Sequence, residues 1–309
     1  MTKRLALAFA ACIALAALAA SAGNARGTGL KGTITADGSS TVGPYTTAAA
    51  EGFHKLHSAV NVTVGISGTG GGFERFCRGE TDLSDASRPI KGSESKTCSD
   101  KGVNYIAFTV ANDGISIVVN KQNTWANCLT VEQLHKMWEP GSKVDNWRDL
   151  NPSYPDVDLK LFGPGTDSGT FDFFTEKING KARASRSDYF PSENDNVIVK
   201  GVSGERGGLG YFGLSYYVEN KSRLNLVKVN GGRGCVAPNI KTVQSKRYKP
   251  LSRPLFIYVK RTSFKRPEVH AFIGYILKNE RAIARKARFV SLTNAQLELA
   301  RDKFRGARR

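Results

Sequence analysis

The chain has 309 residues, of which 40% are hydrophobic and 23% charged, and its 45 Lys plus Arg against 27 Asp plus Glu give a formal net charge of +18. That length is large for one core and fits two lobes, while the positive balance admits nucleic acid, an anionic surface or an anionic small ligand as partner. Export, signalled by the first residues, argues against nucleic acid, as does the absence of aromatics interleaved with basic clusters as in a base-stacking platform, and no stretch beyond the first 22 residues is apolar enough to span a bilayer.

The chain opens on an export signal. Lys3 and Arg4 form a basic start, Leu5 to Ala20 an uncharged apolar run, and Ala20-Ser21-Ala22 a small-x-small cleavage site. Gly23-Asn24-Ala25 is a second, poorer site. The run is short and alanine-heavy for a membrane anchor, and Cys12 lies inside it without the preceding Leu of a lipoprotein signal. Cleavage near Ala22 and a periplasmic location are expected.

Strand-like and helical stretches then alternate. Thr33–Ala36 reads as a strand entering the turn Asp37-Gly38-Ser39-Ser40-Thr41, followed by a helix over about 41–56. His54 and His57 are three apart, as two exposed helix histidines would be. A second strand, Asn61–Ile66, enters Ser67-Gly68-Thr69-Gly70-Gly71-Gly72 and a helix over about 71–78. Thr81–Ser84 is a short third strand. Ile115–Val119 and Leu255–Val259 are strong strands. Between them lie a helical Leu129–Trp138, opened by a cap region at Thr130, Glu132 and Gln133, and a unit in which Leu159–Phe162 enters Gly165-Thr166-Asp167-Ser168-Gly169-Thr170 and a helix to Ile178. A helix over 267–277 follows, and Arg301, Lys303, Arg305, Arg308 and Arg309 form a solvated helix face and tail. Trp125, Trp138 and Trp147 read as core.

This order is that of an α/β fold with ligand sites beyond strand carboxyl ends. A two-lobed arrangement explains it: an outer lobe of residues 23–112 plus 256–309, an inserted lobe of 113–255, and crossovers near 113–119 and 253–259. Without the signal, Cys77, Cys98, Cys128 and Cys235 remain, and four cysteines in an exported chain suggest two disulfides with three pairings open. Cys77–Cys98 with Cys128–Cys235 is the simplest, because each then closes within one lobe. No Cys-x-x-Cys occurs, and no metal or cofactor is expected.

Catalytic templates fit poorly. Gly65-Ile66-Ser67-Gly68 and Gly201-Val202-Ser203-Gly204 each start a nucleophile elbow, but Thr69 and Glu205 stand where it needs glycine. Neither a phosphate-binding loop ending in Gly-Lys-Ser/Thr nor a dinucleotide fingerprint is present. The three hydroxyl–glycine turns do carry chemistry. The first amides of a helix lack intrahelical partners and sit at its positive dipole end, glycine lets the backbone approach a ligand, and Ser and Thr add donors. Three such turns suggest one convergent oxyanion site. Asp37, Asp85, Asp113 and Asp167 lie in or near them. A carboxylate there disfavours an oxyanion unless the ligand donates a proton to it, which hydrogen phosphate does and sulfate does not.

The phrases Asp37-Gly38-Ser39-Ser40-Thr41-Val42-Gly43-Pro44, Ser67–Phe73, Asp82-Leu83-Ser84-Asp85-Ala86-Ser87-Arg88-Pro89-Ile90 and Gly163–Thr170, continued by Gly207–Phe212 and Arg253–Tyr258, occur in the same order in one known family. The chain resembles the periplasmic phosphate-binding proteins of high-affinity phosphate ABC transporters over nearly all of its length after the signal. The resemblance implies a type II periplasmic binding fold that closes on inorganic phosphate and delivers it to a membrane permease. Carried over by position, it implies ligand contacts from Ser40, Thr41, Thr69, Ser87, Ser168, Gly169 and Thr170; Ser39 joins them from its place in the first turn. The sequence departs twice from better-known members. Pro164 stands where they carry an arginine, and Ser87 where they place an aspartate acceptor. Arg88 is the natural replacement cation, able to give bidentate donors to an oxyanion. Asp85, two residues from Ser87 and on the same strand face, joins Asp113 and Asp167 as a candidate proton acceptor.

The expectation is therefore a monomeric, non-enzymatic periplasmic phosphate receptor with a permease as its protein partner. The alternative is a secreted phosphatase or phosphoryl-transfer enzyme using the same cradles. A third is a surface-interaction protein acting through its basic face.

Overall fold

The computed structural model describes residues 29–166, 168–192 and 194–307; the export signal expected over 1–22, and Asp167, lie outside them. The chain begins with β1 (Gly32–Gly38), α1 (Gly43–His54), β2 (Val60–Ile66), α2 (Gly68–Cys77), β3 (Leu83–Ala86) and α3 (Gly92–Asp100), then enters β4 (Tyr105–Asn120). Next come β5 (Cys128–Thr130), α4 (Val131–Trp138), β6 (Lys160–Gly163), α5 (Gly169–Asn179), β7 (Phe190–Pro191), α6 (Asp195–Gly204), β8 (Gly208–Gly213) and α7 (Leu214–Asn220). The last section is β9 (Leu224–Asn230), β10 (Cys235–Val236), α8 (Ile240–Gln244), β11 (Ser252–Lys260), α9 (Arg261–Phe264), α10 (Pro267–Lys286) and α11 (Asn294–Gly306).

β1 is flanked in parallel by β2 and β3, so three strand carboxyl ends meet at one edge of the sheet. β11 runs antiparallel to β3 and to the first half of β4. The second half of β4 pairs antiparallel with β8 and β9, and β8 with β6 in parallel. β4 therefore runs through both halves of the sheet, and β11 accompanies it across the middle.

Each half has its own core. Ile34, Tyr45, Phe53, Leu83, Ile257 and Phe272 are buried together in one. Leu134, Trp138, Trp147, Phe174, Tyr211 and Val229 are buried in the other, while Trp125 packs on it partly buried. Trp138 meets Tyr211 edge-on at 5.0 Å, and Phe174 stacks on Tyr211 at 3.8 Å. Losing such a buried indole costs about 3–5 kcal/mol.

α4 starts at the cap read from sequence: Gln133 N donates to Thr130 Oγ1 at 3.0 Å, and Thr130 N donates to Gln133 Oε1 at 2.9 Å. Cys77 bonds Cys98, tying the end of α2 to α3, and Cys128 bonds Cys235, tying β5 to β10. The closed loops span 21 and 107 residues, for which restriction of the unfolded chain gives roughly 3 and 5 kcal/mol. Among the described residues no helix is long and apolar enough to cross a membrane.

Candidate anion-binding site

The first two turns sit on the carboxyl edge of β1 and β2. Gly38 has φ +144°, and a Cβ there would stand 2.2 Å from the Asp85 carbonyl oxygen, so only glycine lets β1 leave the sheet beside β3. Gly72 of α2 packs on it, its own Cβ position 2.4 Å from Gly38 Cα. Ser39 Oγ accepts the Thr41 amide at 3.2 Å, and the chain turns into α1 with Pro44 in its first turn. In the other half, Ser168 caps α5, accepting the Thr170 amide at 3.2 Å.

The two helix starts meet. A Cβ on Gly169 would lie 2.0 Å from Thr41 Oγ1 and 2.8 Å from Ser40 Oγ. They open on a cleft of about 760 Å³ whose lining includes Ser40, Thr41, Asp113, Ser168, Gly169 and Thr170, together with Ile66, Tyr216 and Arg288. No histidine is among the lining residues.

At the junction lies Arg253, the side chain that the sequence reading did not select. Its Nη2 donates to Thr41 Oγ1 at 2.9 Å and to the Gly169 carbonyl at 3.3 Å, and its Nε donates to Asp113 Oδ2 at 3.3 Å. The guanidinium carbon stands 3.7 Å from the centre of the Phe173 ring. Arg253 and Asp113 face each other across the β4–β11 pair, with side chains only 10% and 5% exposed. Burial pulls the arginine pKa down and the Asp113 charge opposes that pull, yet guanidinium stays charged in proteins. One buried cation thus touches both helix starts. The only trace of it in sequence is position, since the phrase 253–258 begins on an arginine at the expected crossover.

Arg88 is placed differently. Its Nη1 and Nη2 donate to the two Glu94 oxygens at 2.8 and 2.7 Å, an arrangement that raises the arginine pKa, and its guanidinium lies 5.8 Å from the Phe73 ring centre. Neither Arg88 nor Arg253 is among the cleft-lining residues; what separates them is that Arg253 donates to the lining residues Thr41 and Gly169, whereas Arg88 is turned to Glu94. Thr69 and Ser87 form a separate hydroxyl pair at 3.1 Å, with the Ser87 amide donating to Thr69 Oγ1 at 3.2 Å.

The candidate acids separate as well. Asp37 accepts from Ser67 Oγ at 2.9 Å and pairs with Arg75, bracing the second turn. Asp85 is fully buried under α1, where it accepts from Thr46 Oγ1 at 2.8 Å, and its other oxygen has no hydrogen-bond partner among the described residues. Burial foremost, with the Asp37 charge adding to it, pushes this carboxyl up to about 7. Asp113 alone of the described candidate acids lines the cleft. It presents a two-oxygen acceptor beside a fixed cation, the arrangement that suits a protonated tetrahedral anion.

The PBP superfamily domain matches residues 22–280 of the chain. Protein SphX of Synechococcus elongatus is 46% identical over 88% of this chain and 81% of its own length. The phosphate-binding protein PstS of Staphylococcus saprophyticus is 41% identical over 87% and 83%. The crystal structure of a possible phosphate binding protein from Planctomyces limnophilus is similar at a TM-score of 0.86 and 44% identity, over 91% of this chain and 100% of that one.

Proposed function

The chain belongs to the PBP superfamily, and from that premise we propose that it captures inorganic phosphate in the cleft between α1 and α5 and delivers it to the permease of an ABC transporter. The observation that carries the reading is the buried Arg253, held where two helix starts converge. Phosphate enters as a hydrogen-bearing dianion. The first amides of α1 and α5 with the hydroxyls of Ser40, Thr41, Ser168 and Thr170 replace its water, and Arg253 supplies the matching charge. Asp113 accepts the ligand proton, which makes sulfate a poor competitor.

Residues 23–112 with 256–309 form one lobe and 113–255 the other, and the β4–β11 pair is the hinge between them. Closure brings Gly169 against Thr41, and the closed form is the one the permease engages. The protein acts as a monomeric receptor rather than an enzyme, exported to the periplasm after cleavage near Ala22. Two disulfides suit that oxidising compartment, and Ser168 Oγ serves as a helix cap.

Calorimetric titration tests the reading. Phosphate should bind with a dissociation constant on the order of micromolar or tighter, undisturbed by a thousandfold excess of sulfate, and Asp113→Asn should narrow that selectivity. Absence of phosphate heat in this range, or sulfate displacing phosphate at equal concentration, would overturn it.

A further inference from the structure

β11 joins two basic places. It carries Arg253 at the junction of the two helix starts and ends seven residues later at Lys260, roughly 23 Å away at about 3.3 Å per residue. Lys260 pairs with Tyr105, the first residue of β4, and so lies at the sheet edge opposite the cleft. A concavity of about 970 Å³ opens there, larger than the cleft itself. Arg78, Lys101, Lys260, Arg261 and Lys265 line it, and no carboxylate is among its lining residues.

Helix stability accounts for only part of this charge. Arg78 and Lys101 end α2 and α3, where a cation complements the helix dipole, and Arg78 is also held by Glu74 and Glu80. Lys265 caps the end of the four-residue α9, where a cation is favourable, but stands just before the 20-residue α10, where it is not. Its neighbour Arg266 is neutralised by Asp82 and Glu268. Lys101, Arg261 and Lys265 are exposed and enter no ion pair among the described residues.

We infer that this concavity binds a linear anion carrying several phosphoryl groups, such as a short inorganic polyphosphate, independently of the cleft. Cations spread over a hollow of this size exceed what one orthophosphate can engage, and their phosphate-directed donors suit a chain of such groups. The concave shape favours a flexible chain over a flat bilayer.

The test is calorimetric titration with tripolyphosphate, with orthophosphate in excess to fill the cleft. Tripolyphosphate should bind, more weakly as salt rises. A variant carrying Lys101→Gln, Arg261→Gln and Lys265→Gln should lose about tenfold or more in affinity. A control with Lys200→Gln, Lys221→Gln and Lys228→Gln, which removes the same charge from exposed positions elsewhere, should stay within about twofold. Orthophosphate affinity should be unchanged in both. If the triple variant does not fold, Lys265→Gln alone should weaken tripolyphosphate by about threefold. Equal losses in variant and control would overturn the proposal, as would displacement of tripolyphosphate by orthophosphate. Binding to anionic lipid vesicles without binding to tripolyphosphate would also overturn it. A protein that ignores orthophosphate but passes these tests would contradict the cleft assignment and leave this one standing.

Discussion

Arg253 carries more of the proposed binding than any other side chain, because its buried guanidinium has partners in both halves of the sheet. Arg253→Gln removes a charge-assisted donor worth about 1.5–3 kcal/mol and leaves Asp113 uncompensated beside an incoming anion. Phosphate affinity should fall about a hundredfold in a calorimetric titration. Arg88→Ala breaks the half-buried Glu94 pair and the bond to the Pro89 carbonyl, and removes the cation beside Phe73, none of them at the cleft, so it should lower stability by about 1 kcal/mol and leave affinity within about threefold. The reverse order of effects would return Arg88 to the cation's role. Asp85 acts on stability instead. Its carboxyl is raised from 3.8 to about 7, so between those limits the folded chain keeps a proton that the unfolded chain has released. Stability should therefore fall as pH rises through that window, by up to about 1.4 kcal/mol per pH unit, and level off above it. Glu280, raised by burial to about 7, adds a slope of the same sign. Denaturant unfolding of Asp85→Asn from pH 4 to 8 should show a shallower decline than the native chain; an identical decline would mean that Asp85 is ionised throughout.

At the scale of elements, the decisive contact is the start of α5 against the start of α1. Gly169→Ala would place a methyl 2.0 Å from Thr41 Oγ1 and 2.5 Å from the Thr41 amide nitrogen. Such overpacking costs about 1–3 kcal/mol, so phosphate should bind about tenfold to hundredfold more weakly, with little change in the unfolding midpoint of the ligand-free protein. Unaltered affinity would mean that the two helix starts need not meet. Local pattern made these helices and their feeding strands readable, because glycine and hydroxyl residues mark each strand-to-helix turn, although β1 runs two residues into the first of them, to Gly38. β4 was harder. Ala111-Asn112-Asp113-Gly114 has the composition of a turn, yet it stays extended because β11 pairs across it. The helix expected to end at Leu277 runs to Lys286, past a non-helical Asn279, since the buried Glu280, Ile283 and Ala284 pack its second part inward. Arg253 gave no local signal of its role: Asp113 is 140 residues away and Thr41 is 212 away. Sequence adjacency favoured Arg88, while the fold gives Arg88 a nearer partner in Glu94.

For the whole molecule, a sheet shared by two cores would make a ligand held at their junction part of the interior. On the proposed reading a dianion is buried between two helix starts, which is favourable only when both are present, so binding and closure should be one event. The strongly positive balance, +18 over the full chain with only Lys3 and Arg4 of it in the export signal, should draw phosphate in from solution and make the association rate fall with salt. The basic hollow at the far sheet edge lies outside this closure, so the two anion sites should titrate separately. The most direct measurement is a crystal structure with phosphate bound. The anion should lie between Ser40–Thr41 and Ser168–Thr170, with Arg253 donating to one oxygen and Asp113 within hydrogen-bond reach of another. Phosphate seated instead against Arg88, or a cleft that stays empty at saturating phosphate, would contradict the account.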